Sequence, residues 1–161
     1  MALMDETKVD GTSIIDINID GIKKQKFRIN GDPQAVIELN LSDLGIQSRL
    51  EEGLSKLQEE MSKIADMNND DENLSELMKQ ANDKMCEWID YIFDSPVSAV
   101  CAKGGTMYDP FNGVFRYEHI IDSLTRLYTD NLNEEYKKIR SRIQKHTDKY
   151  TGKKSAKRKN V

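Results

Sequence analysis

Two histidines and two cysteines are all that this 161-residue chain offers to a soft metal or a redox pair. Cys86 and Cys101 lie too far apart for a CxxC motif and are too few for a tetrahedral zinc set. Two reduced thiols of a cytosolic protein are the expectation, with a disulfide as the alternative. His119 and His146 belong to no HExxH pattern, and His119 reads as a polar helix residue between Glu118 and Asp122. No apolar run approaches the roughly 18–20 residues that cross a bilayer. The opening Met1-Ala2-Leu3-Met4-Asp5-Glu6 has no basic stretch followed by an apolar one, so no signal peptide is expected. No nucleophile elbow is present. Lys103-Gly104-Gly105-Thr106 has the residue types of a phosphate loop but not its GxxxxGK[ST] spacing, and it follows no predicted strand, so it reads as a flexible connection. Asp66, Asn68 and Asp70 fall at the first, third and fifth places of an EF-hand loop. The required glycine is replaced by Asp71 and the closing glutamate by Leu77, so the run reads as a solvated acidic turn. No metal, no cofactor and no enzymatic activity are expected.

What the chain does have is helical stripes. Ile46, Leu50, Leu54, Leu57, Met61 and Ile64 form one seam, and Leu74, Met78, Ala81, Met85, Trp88 and Ile92 a second. Steps alternating between three and four keep such side chains on one side of a helix. The polar run between the seams, Asp66 to Asn73, makes the pair a helical hairpin. With 37% hydrophobic and 32% charged residues, the core should be thin, and part of each stripe is left for a partner. The seams are too sparse to offset the entropy of ordering an isolated hairpin. They need a sheet face, a third helix or another chain.

The pattern along the sequence predicts a single α+β domain. Residues 1–12 form a flexible arm. From Ser13 the text alternates, with Ile15, Ile17 and Ile19 on one side and Asp16, Asn18 and Asp20 on the other. Asp20-Gly21 and Asn30-Gly31 are hairpin signals. Phe27 and Ile29, then Ile37, Leu39 and Leu41, continue the alternation, which predicts a three-stranded antiparallel meander over 13–41. Its apolar face must be covered. Ser42 and Asp43 offer an N-cap to a helix over about 43–66, which Gly45 and Gly53 weaken by about 1 kcal/mol each. A second helix spans about 73–93, capped by Asn73 or Asp71, and Asp94-Ser95-Pro96 stops it. Trp88, Tyr91, Cys86 and Phe93 read as inner core. Val97 to Ala102 suits one short helical turn, and Asp109-Pro110 and Asn112-Gly113 read as turns. A third helix covers about 116–145, with Ile120, Leu124, Leu127 and Tyr128 on its apolar side and Tyr136, Ile139 and Ile143 continuing the stripe. Residues 146–161 form a basic tail, too polar to order itself from Thr151 onward.

Charge is uneven. Residues 137–161 hold 11 Lys or Arg and one acid, a net +10, while the other 136 residues hold 13 Lys or Arg and 27 acids, a net −14. An acidic body with a basic end favours protein partners over nucleic acid, because the body would repel phosphate. Lys153, Lys154, Lys157, Arg158 and Lys159 are candidate contacts to an acidic protein. Met61, Met67, Met78 and Met85 lie on or near the seams, where methionine adapts to irregular surfaces.

Taken in order, Lys26-Phe27-Arg28-Ile29-Asn30-Gly31, Ile37-Glu38-Leu39-Asn40-Leu41-Ser42-Asp43, a long charged helix and Cys86-Glu87-Trp88-Ile89-Asp90-Tyr91-Ile92-Phe93 resemble the small tail-assembly-chaperone-like proteins of siphophages and prophages in Gram-positive bacteria. Asp90-Tyr91-Ile92-Phe93 and Gly104-Gly105 would fill the family's aspartate-x-x-phenylalanine segment and glycine-containing loop. The likeness covers roughly 25–135. Phe93-Asp94-Ser95-Pro96 departs from the family's Phe-Gly-x-Gly, and the first strand and basic tail are extra. The resemblance implies a non-enzymatic protein of the host cytoplasm that coats a helical tape measure protein until the tail tube forms around it. The tail tube protein is a further candidate partner, and self-association stays open. The implied partner face carries Leu50, Leu57, Met61, Leu74 and Met78. The alternatives are a structural head–tail or tail component retained in the virion, and a small inhibitor that binds a host protein through its acidic surface.

Overall fold

The computed structural model describes residues 8–9, 12–67 and 72–159, with side chains placed over 13–67 and 72–149. It is an α+β arrangement of small antiparallel hairpins and helices. β1 (Lys8–Val9) pairs with β2 (Thr12–Ser13). β3 (Gln25–Arg28) pairs with β4 (Val36–Leu39) in the register Phe27↔Ile37. The turn between them uses Asn30 and Gly31 at φ 52° and 74°, a left-handed pair that glycine and asparagine tolerate best. Ile37 and Leu39 are buried as the alternation requires, while Leu41, beyond the strand, is half-buried.

The first strand of the expected meander does not join this sheet. Residues 14–19 carry no strand pairing, and Ile14, Ile15, Ile17, Ile19 and Ile22 are exposed. Gly21 does turn, at φ 87°, but Lys24 Nζ then donates to the Asp94 carbonyl oxygen at 2.6 Å, which ties the base of the segment to the end of the second helix.

α1 (Ile46–Ala65) and α2 (Leu74–Phe93) form the hairpin. Neither Ser42 nor Asp43 is the N-cap, which falls on Gly45; Asp43 stands two residues before it, its Oδ1 accepting the Gly45 N–H at 2.8 Å and its Oδ2 accepting Arg49 at 2.7 Å. Burial pushes the Asp43 carboxyl up, but Arg49 and the Gly45 N–H outweigh it, so the group ends below its ordinary range. Arg49 also donates through Nε to the Ile92 carbonyl oxygen at 3.0 Å, so one guanidinium joins the start of α1 to the end of α2. Gly53 lets the helices approach. A Cβ there would lie 2.4 Å from both Cδ1 and Cγ1 of Ile92, so the residue that weakens α1 is what brings it against its neighbour.

Asp94 ends α2 in the left-handed region at φ 48°. α3 (Ser98–Ala102) is capped from a distance: Asp90 accepts the Ser98 N–H at 2.8 Å and the Ser98 hydroxyl at 3.0 Å. Lys103 to Thr106 is not a loose connection. Lys103 reaches Asp32 at 3.2 Å, and Asp109 accepts from Thr106 and, at 3.0 Å, from Arg116. Those bonds hold the Asp109 carboxyl below its usual range, Thr106 contributing most. Met107 is sealed in the core, its N–H donating to Asn82 Oδ1 at 2.8 Å. β5 (Pro110–Phe111) and β6 (Val114–Phe115) close a small hairpin whose turn is the expected Asn112-Gly113.

α4 (Arg116–Lys159) packs its first turns through Tyr117, Ile120, Ile121, Leu124 and Tyr128. Asn131 Nδ2 donates to the Leu41 carbonyl oxygen at 3.2 Å, and from Asn133 onward nearly every described side chain is exposed. The helix runs past 145 through the basic end, which was expected to be disordered. Its Lys, Arg and Ala residues are good helix formers, and cations suit the negative end of the helix dipole. The expected inner-core cluster divides: Phe93 is sealed, Trp88 and Cys86 are half-buried, and Tyr91 lies outside, its hydroxyl donating to Glu52 at 2.8 Å.

Candidate functional site

Besides the isoleucines of 14–22, the apolar side chains that the fold leaves open gather chiefly in three places. The first is the outer part of α4. Tyr136, Ile139 and Ile143 are 49%, 40% and 55% exposed. Steps of three and four put them on one stripe, which continues the buried side of the same helix outward. Arg140, Arg142 and Lys145 flank the stripe, and Lys137 and Lys138 pair with Glu134 and Glu135 at 3.3 and 3.5 Å. Such exposed pairs support the helix by about 0.2–0.5 kcal/mol each. At ~1.5 Å per residue the helix from Asn133 to Lys159 extends about 40 Å beyond the body.

The second is the open end of the α1–α2 hairpin. Leu74, Leu77, Met78 and Met67 are half-buried there. A shallow depression of about 530 Å³ runs between Glu60, Lys63, Ala81 and Lys84. Residues 46–93 hold 12 acids and five cations, so this hairpin carries much of the acidic charge. Asn68 to Asp71 of the acidic turn lie outside the described residues, and among the described residues no group of His, Cys, Asp and Glu could hold a metal ion.

The third is a cleft of about 510 Å³ between β3, the β5–β6 hairpin and α4. Phe27, Ile29, Phe111, Ile120, Leu124 and Leu127 supply its apolar lining, Arg28 and Arg116 its cationic groups, and His119 an imidazole. His119 Nε2 lies 3.0 Å from the Phe111 carbonyl oxygen, a bond that fixes the hairpin to α4, as suits a polar helix residue. Cys101 also lines this cleft; burial and then Asp90 push its thiol up to about 11. Burial likewise raises the Cys86 thiol. Both cysteines are free.

The sequence-derived partner face divides between these surroundings. Leu57 is fully buried and offers nothing to a partner, because it lies where α1 turns toward the core. Leu50 and Met61 are half-buried and pack against that core. Leu74 and Met78 stay half-accessible at the hairpin's open end. The side chains of Lys153, Lys154, Lys157, Arg158 and Lys159 lie outside the described residues, although the backbone of all five is within α4. The open isoleucines of 14–22 and the cleft along β3 were missed as sites. The alternating segment pointed to a strand and gave no sign that its partner would be absent. Among the described residues no helix is long and apolar enough to cross a membrane. Comparison with family models, with curated proteins and with solved structures finds no match to this chain.

Proposed function

We propose that this chain is a tail-assembly chaperone of the siphophage and prophage kind, which acts in the bacterial cytoplasm by shielding helical segments of a tape measure protein. The observation that carries this reading is the open Tyr136–Ile139–Ile143 stripe on a helix whose outer half lies beyond the packed core. A projecting amphipathic helix can pair with another along i, i+3, i+7 anchors. The half-accessible Leu74 and Met78 at the end of the hairpin give a second, adaptable contact. A tape measure exposes long apolar helical surface before the tube encloses it, and a protein whose stripes are only partly covered by its own fold suits that need.

The test is co-expression with the cognate tape measure protein. The chaperone should raise the soluble yield and co-purify with it. Tyr136→Asp with Ile139→Asp should abolish both effects while the thermal melt of the body stays in place. An unchanged soluble yield and no co-purification would sink the proposal. Mass spectrometry of purified particles separates the chaperone, which should be absent, from a retained structural component.

A further inference from the structure

We propose that two copies of this chain exchange their N-terminal segments, residues 14–20 of each adding as a strand to the free edge of β3 in the other. This goes beyond the chaperone reading and does not depend on it.

Three observations meet here. The segment is a strand without a sheet: Ile15, Ile17 and Ile19 are 82%, 79% and 62% exposed, and they alternate with Asp16, Asn18 and Asp20. Such an apolar row is what a pleated surface buries on one side. β3 is an edge without a neighbour. Among the described residues it pairs with β4 alone, and the cleft beside it takes its lining from residues 27–30 and from nothing on β4. The cleft therefore lies along the unpaired side of β3, where backbone donors and acceptors await a strand.

The two surfaces also match in pattern. Along β3 and its turn half-buried Phe27 and Ile29 alternate with exposed Lys26 and Arg28, and Arg28 also borders the cleft. An added strand with its isoleucines over Phe27, Ile29 and Leu127 brings Asp16 and Asp20 to the side of Lys26 and Arg28. Apolar then meets apolar and acid meets cation across the pair. A slip of one residue would reverse both matches at once, which specifies the register. Lys24 holds the base of the segment against the end of α2 at 2.6 Å, and the segment forms no ladder with its own β3. Another molecule offers the same edge, and reciprocal exchange is a closed two-fold arrangement that satisfies both copies.

Sedimentation of the full-length chain across a concentration series tests this. A dimer is expected. Ile17→Asp with Ile19→Asp should raise its dissociation constant about tenfold or more and leave the monomer's melting temperature nearly unchanged, since these side chains are largely exposed in the monomer. Asp16→Lys with Asp20→Lys should weaken the dimer, and Lys26→Glu with Arg28→Glu in the same chain should restore it. A second measurement locates the strand. In a Cys86→Ser, Cys101→Ser background, Lys26→Cys chains are mixed under oxidation with chains carrying Asp16→Cys, Asn18→Cys or Asp20→Cys. A mixed disulfide between different chains at one of these positions supports exchange. A monomer at every concentration, a dimer indifferent to the isoleucine and charge changes, or no mixed disulfide at any of these positions would each overturn it.

Discussion

Ile89, four residues after Met85 and three before Ile92, shares an apolar stripe spaced like that of Ile143, yet Ile89 is sealed and Ile143 is more than half exposed. The inner half of the molecule has a second stripe or a sheet face opposite every seam. Ile92 fits the space that Gly53 leaves, Phe93 packs at 6.2 Å from Tyr128, and Ile37 and Leu39 close the cover. The outer half of α4 has water opposite it and is supported by local pairs such as Lys137–Glu134. The difference teaches that periodicity decides which residues share a face, while a separate element decides whether that face is covered. Where this chain does not supply the cover, a partner can, and the proposed function is placed there for that reason.

The largest test of that contrast is a matched pair. Ile89→Ala removes a fully buried side chain and should cost about 2–5 kcal/mol. Ile143→Ala should stay within about 0.5 kcal/mol. Urea melts of the two variants measure both, and equal losses would break the comparison. Gly53→Ala comes next. Helix propensity favours the alanine by about 1 kcal/mol, but its methyl would press on sealed Ile92, and overpacking of this kind costs about 1–3 kcal/mol. A net loss is expected, and a gain would mean that the helices can part at little cost. Asp90→Ala should cost about 0.5–2 kcal/mol, the range for a lost N-cap, because Ser98 loses both of its acceptors. Proteolysis within 97–106 should speed up alongside.

Much of the inner half was legible from residues alone. The seams gave both hairpin helices to within three residues at each end, because steps of three and four admit no other regular structure. Asn30-Gly31 and Asn112-Gly113 turned where their chemistry requires. What escaped was long-range. Nothing local in Lys103–Thr106 shows that Asp32, Asp109 and Arg116 will converge on that stretch. Leu57 looks like Leu50 in sequence, and only the crossing of α1 over α2 seals one more than the other. The alternating isoleucines of 14–19 pointed to a strand that this chain does not form, because alternation sets which side chains share a face and not whether a neighbour is there to pair. The basic end was expected to be loose because it buries little, whereas its residues suit a helix that α4 has already nucleated.

The smallest effect is one of pH, and it probes the seal itself. Tyr128 lies in the inner half of α4, packed beside Phe93. Burial, with Asp43 and Asp94 adding to it against Arg49, pushes its hydroxyl up to about 12. An unfolded chain gives up that proton near its ordinary value of about 10. Between those two values the folded chain holds a proton that the unfolded chain has lost, so stability must fall as pH rises through that window and is fully present below it. Tyr128→Phe keeps the ring and removes the proton. Denaturant melts of both proteins at about pH 9 and about pH 11.5 should therefore show a smaller alkaline loss in the variant. Identical losses would mean that water reaches Tyr128, that the inner half is not sealed, and that the contrast with the outer half is one of degree.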